Sequence, residues 1–528
     1  MPEPSAREFE HKHVVTRYLV FVVCFMAFGS MTYGASASII STTLGQPSFY
    51  NYMDLSEGQK YYSQQNSLLE AANSIFYAGG IFGPFMHGWL ADAYGRKMSI
   101  FVACMINLVS QAFQAGSVHI GMFIAFRFFA GWGAFQAVAS VPLYIAEIVP
   151  PRDRGKLVDI HAIGINVAYV VTGYIGLGFY FLDTPTAWRG PLALTTLPPL
   201  IICLFIYWFP ESPRYLLSKG RDAEAWSVVE KLHTDPSDPS NQFAKREFYK
   251  MLKQIELDRA LKASYKEIFT RPSYRKRAII TMTLLFCVMS SGILVIQNYG
   301  VIIFARLGYN NVQQLLFQTG YTANALLWST IAMTFVDLVP RNRLIGTGYA
   351  MCGFFLTMLT ILLSQFENST NRAALGACVA MIFLYNVSFE LGLDGPEFFY
   401  QAEIWPSHLR ARGYAIATCV YSGINIPWLQ AAPTAFANIG YNYYIIFIVC
   451  SAFGALMAFF VFPDTLHKPL EEVAALFGDR ELVVLYQQEL EGAGVETTLD
   501  HIEASIAGIK AGEPSKAEKM DIVQADSV

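Results

Sequence analysis

The sequence has little charge. Only 15% of its 528 residues are Asp, Glu, Lys or Arg, whereas 54% are hydrophobic. The charges are grouped into a few short intervals, and the runs between them reach the roughly 20 apolar residues that cross a bilayer. The net charge of -4 is small, so we expect no nucleic-acid partner. These features predict a membrane protein whose main partners are the lipid bilayer and a small molecule.

Signatures of enzymes are also missing from the sequence. We find no phosphate-binding glycine loop, no nucleophile elbow and no cluster of metal ligands. All eight cysteines fall inside apolar runs, which suits buried small side chains better than disulfides or a metal site. Gly79 and Gly80 lie inside a span, where close helix packing accounts for them. We therefore expect no enzyme, no metal and no cofactor, with a proton as the one coupling ion to consider.

The apolar runs form two sets of about six, which predicts an all-α membrane protein with about twelve transmembrane helices. A polar stretch with helical pieces and a breaker run at 235–239 separates the sets. We predict a cytosolic tail at 1–17, a six-helix bundle at 18–210 and a cytosolic linker with amphipathic helices at 211–277. A second six-helix bundle follows at 278–462, and a cytosolic tail, largely disordered at its end, at 463–528. Two similar halves are typical of transporters that work by alternating access.

Acidic and basic residues recur together at matching turns of the two halves. The turn after the second span holds Asp92, Arg96 and Lys97, and the matching turn after the eighth holds Asp337 and Arg341. The turn after the fourth span holds Glu147 and Arg154, and the matching turn after the tenth holds Glu403, Arg410 and Arg412. If the spans alternate, all these bases lie on one side, which the positive-inside rule makes cytosolic. Asn368 begins a glycosylation sequon in a loop on the other side, which agrees with that orientation.

The motifs resemble those of the sugar porter family of the major facilitator superfamily. The matching stretches are GWLADAYGRK (88–97), RFFAG (127–131), PLYIAEIVPPRDRG (142–155), PESPRYL (210–216), AEIWPSHLRARG (402–413) and PDTLHKPLEE (463–472). The stretch TTLGQPSFY (42–50) is similar to fungal members. The resemblance implies the major facilitator fold, a plasma-membrane location, a monomer, and transport of a small organic solute, a sugar or sugar-like compound.

The resemblance also implies a cytosolic latch, a set of acid–base pairs that joins the two halves while the protein is open outward. The expected pairs are Asp92 with Arg96, Glu147 with Arg154, Glu211 with Arg214, and Glu403 with Arg410 or Arg412. Exposed pairs contribute roughly 0 to 1 kcal/mol each, so only a network of them would hold one conformer.

The sequence departs from the hexose carriers of this family at the positions that would bind a sugar. Glutamine and asparagine side chains of the fifth and seventh spans are replaced by Ala162, Val288, Met289 and Leu294. None of these side chains can hydrogen-bond a hydroxyl group. The departure argues against a plain hexose and keeps an organic acid or a specialised metabolite as an alternative. A non-transporting nutrient sensor built on the same fold is a further alternative.

Polar residues inside the spans of the predicted bundles are the candidates for substrate binding. They are His161, Gln297, Asn298, Tyr299, Asn324, Glu390, Asp394, Asn425 and Trp428. Carboxyl groups inside a span are costly and therefore indicate function. Glu390, Asp394 and Glu397 follow at i, i+4 and i+7, on one helix face, and Gly392, Gly395 and Pro396 are expected to break the helix there. For Asp394 and Glu397, a position near a loop or a pairing with a base is an equally open interpretation.

Coupling to protons is a separate question. Proton-driven members of the family carry an acid in the first span near the fourth-span arginine, which corresponds to Arg127. Ser36 stands at the position of that acid, and serine carries no proton at physiological pH. The two hypotheses are facilitated diffusion and coupling through Glu390 or Asp394. His161 and His87 are more typical of helix packing.

Overall fold

The computed structural model describes residues 15–150, 154–234, 241–260, 264–366, 369, 371–406, 409–466, 468, 470–479 and 506. Within these ranges all regular elements are helices, as expected. The spans of the first half are Arg17–Leu44, Gln65–Tyr94, Arg96–Ala115, Ile120–Ile148, Arg154–Tyr180 and Arg189–Trp208, the last in three short helical pieces. A short helix, Pro47–Tyr52, follows the first span.

The second half repeats this order. Its spans are Pro272–Arg306, Asn311–Phe335, Arg341–Phe366, Arg372–Ile404, Arg410–Ile439 and Tyr443–Phe460. The seventh span is interrupted between Pro272–Met289 and Ile293–Arg306. The break falls at Gly292, whose φ of 94° is a left-handed conformation that glycine adopts without strain.

Nine segments of the described chain are apolar and long enough to cross a membrane. One of them, Arg412–Phe460, contains both the eleventh and the twelfth span. Gln65–Tyr94 and Asn311–Phe335 are as long as the others but carry more polar residues, and they complete the predicted set of about twelve spans.

The linker forms helices Pro213–Ser218, Asp222–His233, Gln242–Ala260 and Tyr265–Thr270. The first three pack on one another through an apolar cluster that includes Trp226 and Phe248. The seventh span begins at Pro272, earlier than the expected boundary at 278, and its start packs against the protein through the buried residues Ser273, Tyr274 and Arg277. Arg277 lies 3.8 Å from the carboxylate of Asp479 and stacks on the ring of Phe477.

Small residues allow the spans to approach closely. A Cβ atom on Gly79 would lie 1.9 Å from the carbonyl oxygen of Phe128, and one on Gly131 would lie 1.8 Å from that of Phe76. The second and fourth spans therefore pack backbone to backbone, which confirms the packing interpretation of Gly79. The halves meet where the second span lies along the eleventh and the fifth lies along the eighth.

Candidate functional site

A cavity lies between the two halves, bordered by the first, fifth, seventh, eighth, tenth and eleventh spans. Two smaller cavities adjoin it, one sharing Glu397 and Phe398 and the other sharing Ala162, Glu390 and Asp394. We call the three together the central chamber. Its main part has polar lining residues Tyr33, Asn166, Tyr169, Gln297, Tyr321, Thr322, Asn386, Glu390, Asp394, Glu397 and Tyr421. With a volume of about 50 Å³, it holds a few waters at roughly 10–15 Å³ each, so a larger solute requires the halves to separate.

Three carboxyl groups of the tenth span, those of Glu390, Asp394 and Glu397, line the central chamber. Glu390 Oε1 accepts a 3.4 Å hydrogen bond from the amide of Asn386, whose own oxygen accepts from Asn324 at 2.8 Å. Asp394 follows Glu390 by four residues in the same helical turn, and both carboxyl groups border the main cavity.

The helix that carries these carboxyl groups is widened, not broken. Residues Glu390–Asp394 form a π-helical turn between Arg372–Phe389 and Gly395–Ile404, and this corrects the expected break. Pro396 has no N–H to donate to the preceding turn, which loosens the α-helical pattern at this point. Gly392 meets Gly348 of the ninth span, where a Cβ atom would lie 2.5 Å from the Gly348 Cα atom.

The apolar replacements predicted at the sugar-binding positions do border the central chamber. Ala162, Met289 and Leu294 line its main cavity, whereas Val288 is buried in the apolar core. The chamber therefore presents methyl and methylene groups at three positions where a hydroxyl-binding site would need amides.

Of the nine predicted substrate-binding residues, Gln297, Glu390 and Asp394 line the main cavity. Asn324 reaches it through Asn386. His161 lies beside it, with its ring centroid 6.0 Å from that of Phe398 and its Nδ1 atom 2.7 Å from the hydroxyl of Ser30.

The other four candidates lie outside the cavity, because their polar atoms are used in helix packing. Asn298 donates to the carbonyl oxygen of Leu294 at 2.9 Å, and Tyr299 donates to that of Leu429 at 2.9 Å. Asn425 donates to the carbonyl oxygen of Tyr421 at 2.7 Å, and the indole of Trp428 donates to the hydroxyl of Ser290 at 3.0 Å. In this structure these side chains therefore make packing contacts and do not line the three cavities. Asn298 also donates to the hydroxyl of Tyr77 in the first half at 3.4 Å.

Sequence analysis missed several residues of the chamber. The hydroxyl groups of Tyr33 and Tyr421 lie 3.0 Å apart and join the first span to the eleventh. Asn166 donates to the hydroxyl of Ser329 at 3.1 Å and joins the fifth span to the eighth. Asn166, an amide inside an apolar run, was the one available signal; nothing distinguished these tyrosines among the 29 in the chain.

The residues considered for proton coupling in the first half are fixed by other partners. Arg127 is buried, donates to the backbone carbonyl groups of Ser36 and Ala72, and stacks on Phe76. His87 hydrogen-bonds the hydroxyl groups of Ser99 and Ser140 at 2.9 and 2.7 Å, as expected for a packing histidine. These contacts are structural, and the carboxyl groups that line the main cavity come from the tenth span, while Asp159 of the fifth span borders an adjoining cavity.

At the basic turn of the first half, Arg96 lies 3.0 Å from the carboxylate of Glu147 and 3.6 Å from that of Asp92. Glu211 accepts hydrogen bonds from the backbone N–H groups of Arg96 and Lys97. Burial raises the pKa of the Glu211 carboxyl, and these backbone hydrogen bonds oppose the rise.

The matching turn of the second half is built in the same way. Arg341 lies 2.9 Å from the carboxylate of Glu403, which also accepts from the hydroxyl of Thr465. The backbone N–H of Arg341 donates to Asp464. Arg412 stacks on the ring of Tyr265.

These contacts include the expected pair of Asp92 with Arg96 and give Glu147 and Glu403 partners that were not expected. The expected pair of Glu147 with Arg154 stays a prediction. Glu147 pairs with Arg96 and Glu403 pairs with Arg341, so both pairs join spans of the same half. The reason is geometric, since the end of the fourth or tenth span lies against the turn that follows the second or eighth. Arg214 and Arg410 stand in the first turns of Pro213–Ser218 and Arg410–Ile439. The side chains of Arg154 and Asp337, the sequon at Asn368 and most of the C-terminal tail lie outside the described residues.

Comparison with known proteins gives a consistent result. A family model described as "Sugar (and other) transporter" matches residues 22–477. The MFS-type transporter criB of Aspergillus cristatus is 28% identical over 476 residues, which cover 89% of this chain and 96% of the relative. A high-affinity glucose transporter of Kluyveromyces lactis is 25% identical over 483 residues, or 88% and 86% of the two chains.

Solved structures agree with these relatives in fold. The proton:xylose symporter XylE bound to 6-bromo-6-deoxy-D-glucose superposes with a TM-score of 0.74 at 21% identity, covering 87% of this chain and 99% of the symporter. An inward-open structure of the xylose transporter XylE from E. coli gives a TM-score of 0.70 over 87% and 100% of the two chains. The likeness shows the major facilitator architecture.

Proposed function

The chain belongs to the sugar transporter family of the major facilitator superfamily, and on that premise we propose that it carries a small sugar-like solute through the central chamber by alternating access. The observation that carries the proposal is the chamber itself, which lies between the two halves and takes buried polar residues from both. The protein is an integral, multi-pass membrane protein, and we place it in the plasma membrane with the basic turns in the cytosol.

Coupling through the tenth span is part of the proposal. Ser36 replaces the first-span acid, and Glu390 and Asp394 are carboxyl groups inside a span that line the main cavity. A proton that binds from one side and leaves to the other would couple its gradient to the rocking of the halves. The lining of the chamber holds carboxyl groups and, among the residues described, no lysine or arginine, so an organic acid is the less favoured solute.

The test is counterflow of labelled solutes in reconstituted vesicles, drawn from a panel of sugars, polyols and organic acids. A transporter exchanges solute across the membrane, whereas a nutrient sensor only binds it. The absence of counterflow for every solute that binds would contradict transport.

An imposed pH gradient tests the coupling. Uptake should accelerate with the gradient in the wild type and lose that acceleration in Glu390→Gln and Asp394→Asn. Glu224→Gln, at an exposed carboxyl of the linker, is the control and should keep it. Acceleration that survives in both tenth-span variants would exclude this route, and its absence from the wild type would indicate facilitated diffusion.

A further inference from the structure

The described lining of the central chamber holds several carboxyl groups and no basic side chain. Glu390, Asp394 and Glu397 line the main cavity, and Asp159 borders the adjoining cavity that extends from it. No lysine or arginine is among the described residues that line any of the three cavities. The guanidinium of Arg341 approaches the border, but it lies behind the ring of Phe399 and pairs with Glu403.

Glu397 is the most informative member of this group. Its side chain is only 3% exposed, and its Oε2 atom is buried without a hydrogen-bond partner among the described residues. Glu397 nevertheless lines both the main cavity and a neighbouring one. A buried carboxyl group without a partner is unfavourable when ionised, so it needs either a proton or a cation from the solute.

Aromatic rings surround the same point. Phe398, Tyr33 and Tyr421 line both cavities that Glu397 borders. Ring faces attract a positive charge once water has been displaced, and a carboxylate provides the matching anion. A neutral hexose would use neither feature, and it would meet Ala162, Met289 and Leu294 where it needs hydrogen-bond partners.

We propose that the solute carries a protonated nitrogen, as an amine on a sugar-like or aromatic body, and that Glu397 pairs with it inside the ring of Phe398, Tyr33 and Tyr421. The inference rests on the proposed function, since it identifies the central chamber with the solute path. When the ammonium group arrives, the carboxylic acid gives its proton to bulk water and the carboxylate accepts hydrogen bonds from the ammonium. Binding of one cation therefore releases up to one proton.

The test compares matched pairs of ligands that differ in charge and share a body: glucosamine against glucose, and tyramine against 4-ethylphenol. Dissociation constants are measured by titration calorimetry on the purified full-length protein. We expect the cation to bind at least about 10-fold more tightly than its neutral partner in one pair or both, since a hydrogen bond to a charged group contributes about 1.5–3 kcal/mol. In Glu397→Gln that ratio should fall to about 2-fold.

Glu247→Gln is the matched control, because Glu247 is also a buried carboxyl group but belongs to the linker, pairs with Lys250 and does not line the chamber. Its cation preference should equal that of the wild type. If Glu397→Gln does not fold, the wild type still provides a test. The binding heat of the cation should vary with the ionisation enthalpy of the buffer, and that of the neutral partner should not.

The inference is overturned if neither cation binds more tightly than its neutral partner, if Glu397→Gln keeps the preference, or if no proton is released. Counterflow separates this failure from that of the proposed function. If glucose is exchanged and no cation is preferred, the proposed transport stands and the inference of an amine solute fails. If a cation is preferred and no solute is exchanged, the inferred amine site stands and the proposed transport fails.

Discussion

Arg127 donates a 2.8 Å hydrogen bond to the backbone carbonyl oxygen of Ser36, so the buried guanidinium of the fourth span is held by a peptide group. The hydroxyl of Ser36 points elsewhere, since it accepts from the amides of Asn107 and Gln111 at 2.9 and 2.8 Å and donates to the carbonyl of Thr32. Ser36 therefore connects the first span to the third and leaves the charge of Arg127 to the backbone.

Replacing Ser36 by alanine should destabilise the protein without changing its response to a pH gradient. Two buried amide groups would lose their acceptor, at a cost of about 1–3 kcal/mol in the free energy of unfolding. Thermal unfolding in detergent measures the loss. Ser38→Ala is the control, because that hydroxyl makes only one long contact, 3.5 Å to the carbonyl of Ala35. Equal losses in the two variants would contradict the role assigned to Ser36.

The two basic turns should differ in strength. Arg96→Met leaves the carboxylate of Glu147 without its cation, and Arg341→Met does the same to the carboxylate of Glu403. The Glu147 side chain is 9% exposed, whereas that of Glu403 is 29% exposed. Breaking a buried pair costs about 3–5 kcal/mol, so Arg96→Met should lower the free energy of unfolding more. Denaturation of both variants in detergent measures their free energies of unfolding and shows which variant loses more.

The exposed pair of Arg221 and Glu224 is the reference for these turns. Arg221→Met should cost less than about 1 kcal/mol. The double variant Arg96→Met, Glu147→Gln should recover part of the loss, because it removes the unpaired carboxylate. A larger effect at Arg341 than at Arg96 would show that exposure does not set the cost.

Closure on the side opposite the basic turns depends on a contact between the halves. Glu70 of the second span accepts hydrogen bonds from the backbone N–H and the hydroxyl of Thr434 in the eleventh. Thr434→Val removes the hydrogen bond from the hydroxyl, and a hydrogen bond to a charged group contributes about 1.5 kcal/mol. The closed state should lose that stabilisation, which would raise the population of the open state roughly 10-fold.

The measurement is the rate at which a membrane-impermeant maleimide labels Leu315→Cys, at a site that is now buried against Gly45. The Thr434→Val background should raise that rate by about the same factor. Thr330→Val, which removes an exposed hydroxyl of the eighth span, should leave it unchanged. An unchanged rate with Thr434→Val would mean that this contact does not hold the halves together.

The break in the seventh span requires glycine. Gly292→Ala places a Cβ atom in a left-handed conformation and 2.7 Å from the ring of Phe447, so we expect a loss of about 2–4 kcal/mol in the free energy of unfolding. Gly353→Ala, inside the ninth span with its nearest neighbour at 3.5 Å, is the control and should be neutral or stabilising. Thermal unfolding of the two variants provides the comparison, and equal stabilities would be inconsistent with strain at Gly292.

Local patterns in the sequence predicted the architecture well. Apolar length gave the helices, and the spacing of Glu390, Asp394 and Glu397 placed all three on the face that lines the chamber. Ala162, Met289 and Leu294 were located there through the resemblance to the family. These predictions succeed because each depends on periodicity within one helix or on an alignment along the chain.

Relationships between helices were harder to predict. The resemblance paired Glu147 with Arg154, and the contact of Glu147 with Arg96 of another span was not predicted. Tyr33 and Tyr421, 3.0 Å apart, are separated by 388 positions along the chain. Such contacts depend on how the spans cross, and no single helix carries that information.

The π-helical turn at Glu390–Asp394 holds one residue more than an α-helical turn would. Each residue rotates an α-helix by about 100° about its axis. Deleting Leu391 would therefore keep the tenth span intact and swing everything after it by about a quarter of a circle. Glu397 would turn away from the chamber, and Glu403 would turn away from Arg341. The extra residue therefore sets the rotation of the helix that directs Glu397 into the chamber and Glu403 to the basic turn at the membrane surface.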